Sequence, residues 1–214
     1  MEKYMGEIKQ NVLFRGIDED FIYKIAKISA FKLYGKNIQM YNRHEFCRKI
    51  GIIVHGNISL FRHTERGNEK LLTNLKQGDI FGESLMYSAS ECFPLNIRSN
   101  EETLIMYISE ENLTKLFSHN LTFLKNFLQL LSEKIIFLTD KINIVSLDTI
   151  REKLMYYLKD VSVKQKNKRV VIDFNREQLA NYLNTTRPSL SRELANMKKD
   201  GLIDYNKNRF TIKF

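Results

Sequence analysis

From Phe14 to about Ile108 the apolar positions come in short runs: KNIQMY (36–41), IGIIVHG (50–56), NISLFRHT (57–64), EKLLTNL (69–75), FPLNI (93–97) and TLIMYIS (103–109). Runs of this length predict strands folded over on themselves or closed. Gly56-Asn57 and Glu65-Arg66-Gly67-Asn68 supply two of the turns, and a helix over 19–28 precedes the strands. From Glu110 to Ser146 the pattern changes to a single long helix. Its apolar positions Leu124, Phe127, Leu131, Ile135, Leu138, Ile142 and Val145 are spaced 3, 4, 4, 3, 4, 3. That seam averages about 3.5 residues, the coiled-coil period. A helix this long outreaches a small β domain, so a second copy is expected to cover the seam, giving a homodimer. Ser146 or Asp148 then caps a further helix reaching Leu158.

The last third reads as strand VVIDF (170–174), two short helices and a hairpin, with 202–205 and 210–214 flanking the basic turn 206–209. Asn175 and Gln178 have capping-box spacing. Asn184 falls at a bend, where asparagine tolerates left-handed backbone. Thr186 caps the second helix, and Pro188 sits in its first turn, where a missing N–H costs nothing. At about 100° per residue, Leu190, Leu194 and Met197 share one side. Pro188, Ser191, Arg192 and Ala195 share another, and Arg187 lies beside it. Small residues around one arginine suit a major groove about 12 Å wide, where arginine bonds guanine through O6 and N7.

Charge sharpens this reading. The chain's 34 basic and 25 acidic side chains leave +9, and +7 of it falls in residues 147–214, which hold 15 basic against 8 acidic side chains. Such a segment attracts a polyanion by releasing its counterions, which makes double-stranded DNA the expected partner and places Lys207 and Arg209 in a basic wing. With 43% hydrophobic and 28% charged residues the composition is that of a globular protein, no run is long and apolar enough to span a bilayer, and the cytoplasm is the expected address. Cys47 and Cys92 alone do not fill the four-ligand sites of structural zinc or iron–sulfur clusters. No Walker loop, GxSxG or HExxH occurs, so no enzyme activity is expected.

The stretch NREQLANYLNTTRPSLSRELANMKKDGLI (175–203) resembles the winged helix-turn-helix of the CRP/FNR family of bacterial transcription regulators. Upstream, Gly51-Ile-Ile-Val-His-Gly56 and Gly78-Asp-Ile-Phe-Gly-Glu83 look like the strand–turn signatures of its cyclic-nucleotide-binding-type β-roll. The resemblance implies an α+β chain in three parts: a double-stranded β-helix (β-roll) sensor over 1–109, a coiled-coil dimerisation helix over 110–146 and a winged helix-turn-helix over 147–214. It implies a dimer reading a near-palindromic operator, RNA polymerase as a partner, and groove-facing roles for residues 187, 188, 191 and 192, with Arg192 on a guanine. Pro188 departs from the family, whose well-studied members carry a glutamate there.

In family members that bind cyclic AMP, an arginine and a small hydroxyl residue follow ten positions after the glutamate of the Gly-Glu segment. Here Glu83 is followed at that distance by Phe93 and Pro94, and the next arginine is Arg98. A buried phosphodiester needs a charged partner, so cyclic AMP is disfavoured unless Arg98 compensates. The N-terminal cysteine cluster of the iron–sulfur members is missing. Candidate axial ligands for haem are His44, His55, His63, His119 and Cys47, and an apolar metabolite is a further option; the effector stays unidentified. The contrasting reading is a β-roll module that regulates a protein partner without touching DNA.

Overall fold

The computed structural model describes every residue except Met1, Glu65 and Arg66, so the first half of the expected 65–68 turn lies outside the described residues. The chain divides into two compact units, Met1–Glu133 and Lys134–Phe214. Among the described residues no helix is long and apolar enough to cross a membrane.

In the first unit, helices α1 (Met5–Lys9) and α2 (Glu19–Ile28) precede eight strands: β1 (Ala30–Tyr34), β2 (Gln39–Tyr41), β3 (Lys49–His55), β4 (Asn57–His63), β5 (Glu69–Lys76), β6 (Ile80–Phe81), β7 (Asn96–Ser99) and β8 (Thr103–Ser109). They form two four-stranded antiparallel sheets, ordered β1-β8-β3-β6 and β2-β7-β4-β5, the folded-over β structure expected from the sequence. Ile50, Ile52 and Ile105 of the first sheet and Ile58 and Ile97 of the second enter one core. In β8 every residue from Thr103 to Ile108 is buried, so both faces are covered. Two glycines permit close approach. A Cβ on Gly51 would enter the Phe81 ring, and Gly56, at φ +86, packs against the Glu102–Thr103 backbone.

Several expectations need correction: the strand expected over 36–41 begins only at Gln39, and the one expected over 170–174 ends at Val171. Strand β1 is an addition to the expected strands: AFKLY is mostly apolar, but it follows directly on α2 with no turn signal to mark its start. The run 93–97 starts late: Pro94 has no N–H to offer a ladder, and Cys92 makes only an isolated bridge to Phe46 before β7 begins at Asn96. The single helix 110–146 is two helices, α3 (Glu110–His119) and α4 (Leu121–Ser146). Asn120 turns extended (φ −144, ψ 101) and its side chain accepts from the Phe123 amide at 2.9 Å, ending one helix and starting the next.

In the second unit α5 (Ile150–Gln165), β9 (Arg169–Val171), α6 (Arg176–Tyr182), α7 (Arg187–Lys199), β10 (Ile203–Asn206) and β11 (Arg209–Ile212) follow, with sheet order β10-β11-β9. The cap of α5 is Thr149, which makes a full capping box with Glu152, in place of the expected Ser146 or Asp148. Leu154, Leu158, Leu179, Leu190, Leu194, Met197 and Phe210 build the second core.

Candidate nucleic-acid interface

Helices α6 and α7 meet at the bend the sequence marks. Asn175 and Gln178 complete the capping box of α6, and Asn184 takes φ 51, the left-handed conformation that lets the chain turn back at once. The Thr186 side chain caps α7 and Pro188 occupies its first turn. Leu190, Leu194 and Met197 are buried, while Thr186, Arg187, Pro188, Ser191, Arg192 and Ala195 are exposed. The periodicity therefore divides α7 into a core side and a bare side as expected.

What keeps the bare side bare was not visible in the sequence. Arg151 of α5 reaches Glu193 at 2.6 Å and Asp200 at 2.8 Å, and Lys198 reaches Asp204 at 2.6 Å. Glu193, Asp200 and Asp204 are thus taken by Arg151 and Lys198, and the Glu193 hydrogen bond raises the Arg151 pKa further. Among the described residues neither Arg187 nor Arg192 has an ion-pair partner. Lys141 of α4 is a second unforeseen support. It donates to the carbonyl of Tyr182, the last residue of α6, at 2.8 Å and lies 4.4 Å from that ring's centre, where a cation meets the negative end of the helix dipole. Burial pushes its pKa down.

The wing is a hairpin with a two-residue turn, Lys207-Asn208, in which Lys207 has φ 51. Its strands start and stop one to two residues from the expected bounds. Lys207 and Arg209 are exposed. Arg176, at the start of α6, donates to the Lys207 carbonyl at 2.8 Å, and Arg176, Arg187 and Lys207 line one cleft of about 560 Å³.

Along α4 the expected seam is corrected at one position. Phe127 is 2% exposed and packs on Phe117 at 5.0 Å within the first core, leaving it no surface for a partner. Its neighbour Leu128 is 51% exposed. With Leu128 in its place the positions 124, 128, 131, 135, 138, 142 and 145 are a strict 4-3 repeat, the coiled-coil register. Ile135, Leu138, Ile142 and Val145 are exposed, and Leu124 and Leu131 half-buried.

The expected effector residues do not gather as an anion site. Glu83 is buried in the turn after β6. Phe93 is buried with its ring 4.5 Å from Tyr41 and 6.3 Å from Phe81, and Tyr107 joins the same cluster. Arg98 makes a two-pronged hydrogen bond to Glu69 at 2.8 and 2.9 Å and covers Phe61. His44, His55, His63 and His119 are exposed, whereas Cys47 is buried with its thiol directed at the Lys49 carbonyl. Among the described residues no three His, Cys, Asp or Glu side chains converge as a metal site.

Residues 32–120 match the family model of the cyclic nucleotide-binding domain, and residues 152–213 that of the Crp-like helix-turn-helix domain. The chain belongs to the CRP/FNR family. As a CRP/FNR-type protein it is a DNA-binding transcription regulator. No curated protein matches the sequence. The fold is shared with the catabolite activator protein of Thermus thermophilus (19% identity, 95% of this chain and 94% of that chain covered, TM-score 0.59). It is shared also with a CooA mutant from Carboxydothermus hydrogenoformans (21%, 96% and 92%, TM-score 0.62). A third is CLP of Xanthomonas campestris, titled a c-di-GMP responsive global regulator (19%, 92% and 100%, TM-score 0.54).

Proposed function

We propose that this CRP/FNR regulator acts as a homodimer that reads a near-palindromic operator through α7 and answers to an effector other than cyclic AMP. The observation that carries the reading is the bare side of α7: Arg187, Pro188, Ser191 and Arg192 are exposed together, and among the described residues neither arginine has an ion-pair partner. Arg192 is the base reader and Arg187 the contact at the helix start, with Thr186 at the cap and Lys207 and Arg209 supplying phosphate contacts from the wing. Two such helices, joined by the Leu124–Val145 repeat, enter successive major grooves about 34 Å apart. Against cyclic AMP stand Phe93, buried among Tyr41 and Phe81, and Arg98, held by Glu69.

The test is binding of the full chain to a random-sequence duplex across a salt titration, followed by sedimentation with a selected duplex. A steep negative dependence of log K on log salt and two chains per duplex are expected. Weak binding at every salt concentration would favour a module that regulates a protein partner.

A further inference from the structure

We propose that Arg176 is a positioning residue that sets the wing against the recognition helix, and that it does not itself contact phosphate. This rests on the docking proposed above. The Arg176 side chain turns inward: its guanidinium lies 5.1 Å from the Tyr205 ring centre and 5.2 Å from that of Phe210, one ring on the first strand of the hairpin and one on the second. From there its Nη2 donates to the carbonyl of Lys207 at 2.8 Å. Lys207 holds a left-handed backbone without being glycine, so a bond that fixes its peptide also fixes where its side chain leaves the turn. Arg176 is the first residue of α6, and α6 packs against α7 through Leu179, Ala180 and Leu190. One planar side chain thus joins the helix pair to the tip of the wing. Arg187 and Lys207 face the same cleft, and the separation of those two charges depends on that joint. A place beside two rings that stack on each other at 5.7 Å, and within reach of a carbonyl, suits a flat cation with a donor at its edge, which arginine is and lysine is not.

The experiment is a double-mutant cycle on the full chain, with a random-sequence duplex as probe and the slope of log K against log salt as readout. Lys207→Ala should lower the slope by about 1.8, the share of one phosphate in each of the dimer's two subunits, and Arg176→Ala should do the same by misplacing Lys207. The double variant should lose no more than either single one. Arg176→Lys keeps the charge and should stay at the lowered slope. A double variant that loses about 3.6, or a full recovery in Arg176→Lys, makes Arg176 a phosphate contact and overturns the inference. If Arg176→Ala does not melt cooperatively, Arg176→Lys with and without Lys207→Ala provides the same cycle. A wild-type chain without salt-dependent binding overturns the docking and this inference together; additive losses on a wild type that binds overturn this inference alone.

Discussion

The interior of the β-roll and the bare side of α7 treat their functional side chains in opposite ways. In the roll, the rings of Tyr41, Phe81, Phe93 and Tyr107 pack tilted or edge-to-face against one another, and Tyr34 and Tyr107 share a hydrogen bond at 2.8 Å. Arg98, the arginine expected to compensate for the missing phosphate partner, is held by Glu69. Around α7 the carboxylates of Glu193, Asp200 and Asp204 are occupied by Arg151 and Lys198, and among the described residues Arg187 and Arg192 have no ion-pair partner. A charge already bonded has little to gain from a ligand, whereas an unpaired arginine on a rigid helix gives its full set of donors to one. The contrast predicts a chain that is ready for DNA and closed to a cyclic phosphate.

The largest effect should come from emptying the filled side. Phe93→Ala removes a buried ring and should cost about 3–5 kcal/mol of roll stability, read as a lower melting temperature of the full chain. A melting curve like the wild type's would mean that the ring is not part of the core. Next is the seam, where adjacent residues should part company. Leu128→Lys should leave a folded chain that sediments as a monomer, because charge enters the buried repeat. Phe127→Lys should instead prevent the first unit from folding. Dimers persisting in Leu128→Lys would remove α4 as the interface. Cyclic AMP at millimolar concentration should leave the melting temperature unchanged, whereas a ligand of the folded state at ~100 times its dissociation constant adds about 2.7 kcal/mol.

The smallest effect concerns the tie between α7 and the wing. The Lys198 hydrogen bond holds the Asp204 carboxyl below its usual range, and the same bond raises Lys198. A depressed acid stabilises above its unfolded pKa, about 3.9, and loses that contribution as pH falls through the folded value. A raised lysine stabilises below about 10.4 and loses its contribution as pH rises through the folded value. Melting temperatures of the wild type and Asp204→Asn should therefore differ at neutral pH and converge in acid. A difference that persists in strong acid would assign it to something other than the ion pair.

Local signals made the helix-turn-helix legible. A capping box, an asparagine at the bend and a 100° apolar repeat each involve residues close in sequence, and Asn175, Asn184 and Thr186 stand as expected. Most strands of the roll were legible as short apolar runs bounded by turns, and β1 was not, since AFKLY runs on from α2 through Ser29 alone with no glycine or proline to separate them. The seam misled at Phe127 because periodicity cannot tell a residue facing its own domain from one facing outward, and only Leu13, Phe14 and Phe117 around α4 decide that. Arg151, Lys141 and Arg176 were invisible for the same reason. Their partners lie 31 to 49 residues away in the chain, and nothing in a lysine or arginine by itself points to them.

The claim that α7 reads sequence through its bare side is tested most directly by selecting duplexes from a random pool with the wild type and with Arg192→Ala. The wild type should enrich a near-palindrome with a guanine in each half-site. Arg192→Ala should lose about 1–3 kcal/mol of preference at that guanine alone, with its melting temperature and its binding to unselected duplex retained. An unchanged base preference in Arg192→Ala would contradict the assignment of the reading face.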